Sequence, residues 1–362
     1  MNIEFDNNKK FDLMIPSSLS WIRLVAVILV FAGHSKIHLG GGQGAIFFLV
    51  ISGYTFTRYF LKEWEQSAII NFARFYNKRF WKIIPALYAV VLFNVLIKYY
   101  FDKPIDFHHV LSVITFSSNY YNALHGHPNT GFAHFWTTSM LIQFYLLWPV
   151  VFQYFMRKFS TRNGLSWFLI SVVIMVIVYR TILSIFHLSS ESYIYNSFET
   201  RLDALAIGAL LALNIDLDFF KKKLSFFEHF KFLQLSFTLL LIALVGFFPI
   251  ALRDSIGFSL HAFLICIFII QLTKLTDTPY RTNLLSNVYL SSISYWFYLI
   301  HPWGIAIGEH FHTNKINQVI IGGLIILIFT SFIFLIKERF SHKFNWVLNQ
   351  PSFRKFYLKN QF

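Results

Sequence analysis

Arg23 and His34 lie eleven residues apart inside one apolar stretch, LSWIRLVAVILVFAGHSK. A guanidinium is a lasting cation that grips phosphates through charge-assisted hydrogen bonds. An imidazole, with an ordinary pKa of about 6.5, can take a proton near neutral pH. At about 100° per residue, eleven steps make roughly three helical turns, so both side chains project from one helix face. Their Cα atoms would stand about 16 Å apart along the axis. Arg23 is expected near one membrane surface and His34 well inside the hydrocarbon layer. An ionisable group there is costly, which makes function the default reading.

The elements that must position this pair are apolar helices. Of 362 residues, 56% are hydrophobic, 20% aromatic and only 13% charged, against about 25% charged in soluble domains. Apolar runs of about 20 residues, enough to cross roughly 30 Å of hydrocarbon, recur throughout. The composition predicts an all-α polytopic membrane protein with ten spans. They fall at 19–38, 44–61, 83–101, 136–155, 165–188, 201–214, 232–251, 258–275, 284–308 and 318–336. The sixth is short for a span. The stretch 110–121 is too short to cross and reads as an interfacial or re-entrant piece.

A net charge of +14 could suggest a nucleic-acid partner, but its distribution argues against one. Lysine and arginine concentrate in the N-terminal segment, the even-numbered connections and the C-terminal tail, whereas the opposite loops carry only Lys36, Lys103, Arg253 and Lys315. That asymmetry is the positive-inside pattern and predicts both termini in the cytoplasm. The lone cysteine, Cys266, excludes a disulfide within the chain and reads as a packing residue. No removable signal peptide, internal repeat or dividing linker is evident. Residues 1–362 are read as a single transmembrane domain, with a cytoplasmic N-terminus over 1–18 and a basic cytoplasmic tail over 337–362. No room for an extra extracytoplasmic domain is expected.

Five segments rise above this background: GAIFFLVISGYTFT (44–57), KRFWKIIPAL (78–87), HFWTTSMLIQFYLLWP (134–149), RLDALAIGALLA (201–212) and SYWFYLIHP (294–302). In that order, with the Arg23–His34 pair, they resemble the acyltransferase-3 family, integral-membrane enzymes that O-acetylate bacterial surface carbohydrates. The resemblance runs from about residue 19 to 340. Two departures stand out. Leu141 occupies the place where the family carries a glutamate, two positions before Gln143, and the usual Arg-x-x-Arg is here Arg79 followed by Lys82. The second departure keeps the charge but loses the forked geometry suited to phosphate.

The resemblance implies that Arg23 and His34 carry acyl transfer, with acetyl-CoA or another acyl-CoA as donor substrate and no permanently bound cofactor. The donor's nucleotide end is anionic, so Arg23, Arg79 and Lys82 are the expected donor-binding residues, the last two in a cytoplasmic loop. His34 is the expected general base or acyl relay. The acceptor is expected to be a hydroxyl of lipopolysaccharide, capsule or exopolysaccharide at the outer side of the inner membrane.

Supporting or acceptor-side positions are Ser52, His134, Trp136, Tyr145, Arg201, Asp203 and His301. Ser52 and Gly53 also suit close helix packing. Trp136 and Tyr145 suit the interfacial aromatic belt. Arg201 and Asp203 could form a structural ion pair or touch substrate. The loop 102–135 offers Asn119, Tyr120, Tyr121 and Asn122 to a sugar. Its His125-x-His127 pair lacks the partners that would fix a metal geometry, so no metal is expected. The alternative function is polysaccharide export, or a synthesis-complex component without acyl transfer. An exporter should line a continuous polar path, whereas these polar residues cluster at one depth.

Overall fold

Hydrocarbon offers no water to backbone N–H and C=O groups, so apolar runs of this length must close their hydrogen bonds within helices. In a computed structural model covering residues 17–35, 43–159, 161–217, 231–275, 284–311 and 314–348, all regular structure is helical. The order is α1 (Ser17–His34), α2 (Gln43–Ser67), α3 (Phe72–Tyr100), α4 (Phe107–Ile114), α5 (Ser118–His125), a 3₁₀ turn (Ala133–Phe135) and α6 (Trp136–Phe159). There follow α7 (Arg162–Ile185), α8 (Glu191–Asn196), α9 (Phe198–Asn214), α10 (Lys231–Val245), α11 (Phe258–Leu275), α12 (Leu284–Phe311) and α13 (Lys315–Leu348).

Among the described residues, six helical stretches are long and apolar enough to cross a membrane: Gly44–Ser67, Phe72–Tyr100, Ala133–Phe159, Arg162–Ile185, Ile250–Leu272 and Lys315–Ile336. The chain is therefore a multi-pass membrane protein. Leu19–His34 and Phe232–Val245 are shorter apolar helices. Length and apolarity thus support six of the ten expected spans among the described residues. Much of the charge that argued for cytoplasmic termini, in 1–16, 218–230, 276–283 and 349–362, lies outside the described residues.

Two boundaries differ from expectation. The first helix stops at His34, where Ser35 turns its amide and hydroxyl back onto the Phe31 carbonyl at 3.0 and 2.9 Å. His34 is thus a helix-end residue rather than an interior one. The third helix starts at Phe72, eleven residues before the predicted 83, because the Asn71 side chain caps it by accepting from the Arg74 amide at 2.9 Å. Arg79 and Lys82 therefore stand on α3 and not in a loop, and Pro85 lies inside the helix.

The centre of the bundle is a backbone-to-backbone contact of α2 with α9. A Cβ placed on Gly53 would meet the Leu205 carbonyl oxygen at 2.0 Å, and one on Gly208 would meet the Val50 oxygen at 2.1 Å. Small residues let helices approach this closely where lipid supplies no hydrophobic drive between them. Helix α9 is short because it is a core helix, buried along nearly its whole length. A second glycine seam joins α12 to α13, where a Cβ on Gly322 would meet the Gly304 oxygen at 2.1 Å.

A buried charge cluster ties α7, α9 and α11 together. Arg180 donates to Asp203 Oδ2 at 2.9 Å, to Ser259 Oγ at 2.6 Å and to the Thr200 carbonyl at 2.7 Å. Both charged side chains are essentially inaccessible. Asp203 therefore pairs with Arg180, not with Arg201 as the sequence allowed. The Arg201 guanidinium lies over the Phe258 ring, 3.8 Å from its centroid.

The segment expected to be interfacial folds as α4 and α5, and its polar groups are spent on anchoring it. Gln143 on α6 donates to the Phe116 carbonyl at 2.8 Å and to Asn119 Oδ1 at 2.9 Å. Tyr120 donates to Glu199 at 2.8 Å and Tyr121 to Asp106 at 2.6 Å. The Tyr121 bond draws the Asp106 carboxyl below its ordinary pKa and pushes Tyr121 up to about 12. Burial takes His109 down to about 4. Asn119, Tyr120 and Tyr121, which the sequence offered to a sugar, thus spend their polar groups within the protein.

Two stability predictions follow from these contacts. Gly208→Leu should remove the α2–α9 seam and cost at least the 1–3 kcal/mol, roughly, of an overpacked core, seen as a lower unfolding temperature in detergent. Asp203→Ala should cost about 3–5 kcal/mol by leaving Arg180 buried without its counter-ion. Unfolding temperatures matching the unaltered protein would contradict either.

Candidate active site

Helices α1, α2, α3, α6 and α12 enclose a narrow cavity of about 100 Å³. Arg23, Arg79 and Lys82 line it, together with Ser52, Tyr145 and Tyr295. Arg23 Nη2 donates to Thr55 Oγ1 at 3.2 Å, and the Thr55 hydroxyl donates onward to the Ile51 carbonyl at 2.5 Å, so α2 fixes the guanidinium. The Arg79 guanidinium lies 4.4 Å from the centroid of Phe56, whose ring packs edge-on against Tyr145. Such a cation–π contact holds the charge in place while leaving its donors available. Among the described residues no carboxylate lines this cavity, and Leu141 contributes apolar surface at the family's glutamate position. Arg23, Arg79 and Lys82 make this chamber electropositive.

Beyond it lies a wider cavity of about 630 Å³, roofed by the segments around α5 and α8. His34, His127, His134, Trp136, Tyr195 and Asn196 are among its lining residues. His34 is exposed to this space. Its ring stands 5.0 Å from that of His301, which is in turn 5.0 Å from His134. His134 Nε2 donates to the Leu299 carbonyl at 3.1 Å, and His301 Nδ1 donates to the Tyr298 carbonyl at 2.7 Å. His127 Nδ1 lies 3.1 Å from Asn196 Oδ1. Trp136 and Tyr195 pack ring against ring at 5.0 Å, forming an aromatic wall.

The two cavities share two lining residues, Thr137 and Tyr298. The Tyr298 hydroxyl bonds to both the Thr137 hydroxyl and the His134 carbonyl. These side chains are the wall between the cationic chamber and the imidazole-lined one. Helix α6 serves both sides, placing Trp136 in one chamber and Tyr145 in the other.

The expected residues therefore divide. Arg23, Arg79, Lys82, Ser52 and Tyr145 come together in the first cavity; His34, His134 and Trp136 come together in the second, with His301 against them. Tyr145 and Trp136 are buried rather than interfacial, because α6 turns both toward the cavities. Gly53 does the close packing while its neighbour Ser52 faces the chamber. Arg201 and Asp203 line neither cavity. Among the described residues no group of three His, Cys, Asp or Glu side chains could hold a metal.

Sequence reading missed Arg180, Thr137, Tyr195, Asn196 and Tyr298. Arg180 had a signal, being a lone cation deep in an apolar span. So did Tyr298, which lies three residues before His301 and so shares its helix face.

The chain is 27% identical over 208 residues to the peptidoglycan O-acetyltransferase OatA of Listeria monocytogenes, covering 54% of this chain and 33% of that one. It is 26% identical over 212 residues to the O-acetyltransferase OatA of Staphylococcus aureus, covering 54% and 34%. It thus spans about a third of the length of these relatives. No solved structure matches it. The profile of the acyltransferase-3 family, an acyltransferase domain, matches residues 17–338, and the chain belongs to that family.

Proposed function

We propose that this chain moves an acyl group, most simply acetyl, from cytoplasmic acyl-CoA to a hydroxyl of a cell-surface carbohydrate. It would do so in the bacterial cytoplasmic membrane, through ten spans with both termini inside. The observation that carries the reading is the pair of chambers, one cationic and one lined with imidazoles, meeting at a two-residue wall. Arg79 and Lys82, near the start of α3, hold the donor's phosphates, with Arg23 deeper in the same chamber. The pantetheine arm is thin enough to pass Thr137 and Tyr298 once their hydroxyls part, and the thioester then meets His34. The nucleotide never leaves the cationic side.

The second chamber takes the acceptor. Trp136 and Tyr195 offer an apolar wall of the kind that lies against sugar C–H faces. His34 removes the acceptor hydroxyl's proton as its oxygen attacks the thioester carbonyl. The C–S bond breaks, and the proton passes from His34 to the leaving thiolate. The peptidoglycan O-acetyltransferase among the relatives, that of Listeria monocytogenes, makes a surface glycan the natural acceptor class. Lipopolysaccharide and capsule remain within it. An export pathway fits less well, since the wall interrupts the path between the chambers.

Two experiments test this reading. Membranes containing the unaltered chain should place O-acyl esters on surface glycans, detected by mass spectrometry, and His34→Ala should abolish them. Identical esters in both strains would refute it. Arg79→Ala should weaken acetyl-CoA binding about tenfold or more, since a charge-assisted hydrogen bond contributes about 1.5–3 kcal/mol, without lowering the unfolding temperature. Equal affinity measured by titration calorimetry would remove Arg79 from the donor site.

A further inference from the structure

His301 is fully buried on α12 and has one nitrogen in use and one idle. A carbonyl oxygen can only accept, so the 2.7 Å contact with Tyr298 requires the proton to sit on Nδ1. Nε2 is then a bare lone pair, and it has no hydrogen-bond partner. An orphaned acceptor in such a place is costly unless it serves a purpose. Its nearest imidazole neighbours are His34 and His134, both at 5.0 Å between ring centroids. His134 has its Nε2 proton committed to Leu299, which leaves its Nδ1 bare and unable to donate to His301. His34 alone among the three rings has an N–H to give.

We infer that His301 is the positioning residue of His34, accepting an N–H bond from it on Nε2 and thereby turning its other nitrogen, bare, toward the acceptor hydroxyl. This role rests on the acyl-transfer reading above. It supplies what a carboxylate supplies behind the histidine of a catalytic triad: a fixed tautomer and a stabilised imidazolium. Among the described residues no acidic side chain is paired with His34 to do so. The titratable groups facing the pair are His134 from the 3₁₀ turn, His127 from the loop after α5 and Tyr298 on α12. The cavity lining adds Glu191, Tyr195 and Arg253. During transfer the acceptor proton moves to the bare nitrogen of His34. The second proton of the imidazolium is held in the bond to His301 until the leaving thiolate collects the first.

The test compares His301→Ala with His301→Gln, whose side-chain oxygen can accept the same N–H. Acetyl transfer to glycan is followed against pH in membranes, with donor affinity and unfolding temperature measured on each variant. His301→Ala should lower kcat about 100-fold, within the range of a lost acid–base contribution, with acetyl-CoA affinity unchanged within twofold. Its acid limb should move to lower pH, because the His34 imidazolium loses its acceptor. His301→Gln should regain at least tenfold and restore the limb. If the alanine variant does not fold, His301→Leu replaces it in the comparison. Unchanged kcat, a fall that Gln does not restore, or an unmoved acid limb overturns the role. Absence of transfer by the unaltered chain would instead overturn the acyl-transfer reading itself.

Discussion

Tyr298 holds its hydroxyl between that of Thr137 and the carbonyl of His134, and the interior is arranged on one side or the other of that contact. Toward the start of α3 the lining is cationic; toward the end of α1 it is imidazole and aromatic. On the proposed reading, one side would take a polyanionic coenzyme and the other a neutral sugar. Separate chambers would let each be shaped for its own ligand and would keep the reactive thioester from water, the competing acceptor in any acyl transfer, until the wall opens.

The wall can stand only because the surrounding helices cannot drift. Lipid gives helices no hydrophobic reason to associate, so the bundle depends on close approach and on buried polar bonds. Gly53 and Gly208 supply the first, bringing α2 and α9 into backbone contact. Arg180, Asp203 and Ser259 supply the second, joining α7, α9 and α11. Helix α2 carries Ser52 into the cationic chamber, and its Thr55 fixes Arg23. The family signature at 201–212 is therefore a support for the site rather than part of it.

The missing glutamate at Leu141 acquires a physical meaning in this setting. A carboxylate there would face the chamber that holds Arg23 and Arg79 and would neutralise part of its charge. With leucine in its place, the charge of Arg23 and Arg79 would be left, on the proposed reading, for the anionic donor. The charge imbalance is tolerated because Phe56 covers Arg79 and Thr55 bonds Arg23.

Composition and periodicity alone determined that this chain is helical and membrane-embedded, and the eleven-residue spacing alone marked Arg23 and His34. Both follow from local rules: a run of apolar residues must close its own hydrogen bonds, and a charge in hydrocarbon must have a use. Spacing along one helix could not reveal that Arg23 and His34 open into different chambers, or that α1 ends at His34. Nor could it show that Asn119, Tyr120 and Tyr121 are consumed by internal hydrogen bonds, or that Asp203 answers Arg180 rather than its neighbour Arg201. Contacts between segments far apart in the chain, such as His134 with Leu299, 165 residues away, belong to the same class. Only the packing of helices against one another decides them, because a side chain's partner is set by which helix faces it and not by what precedes it in the chain.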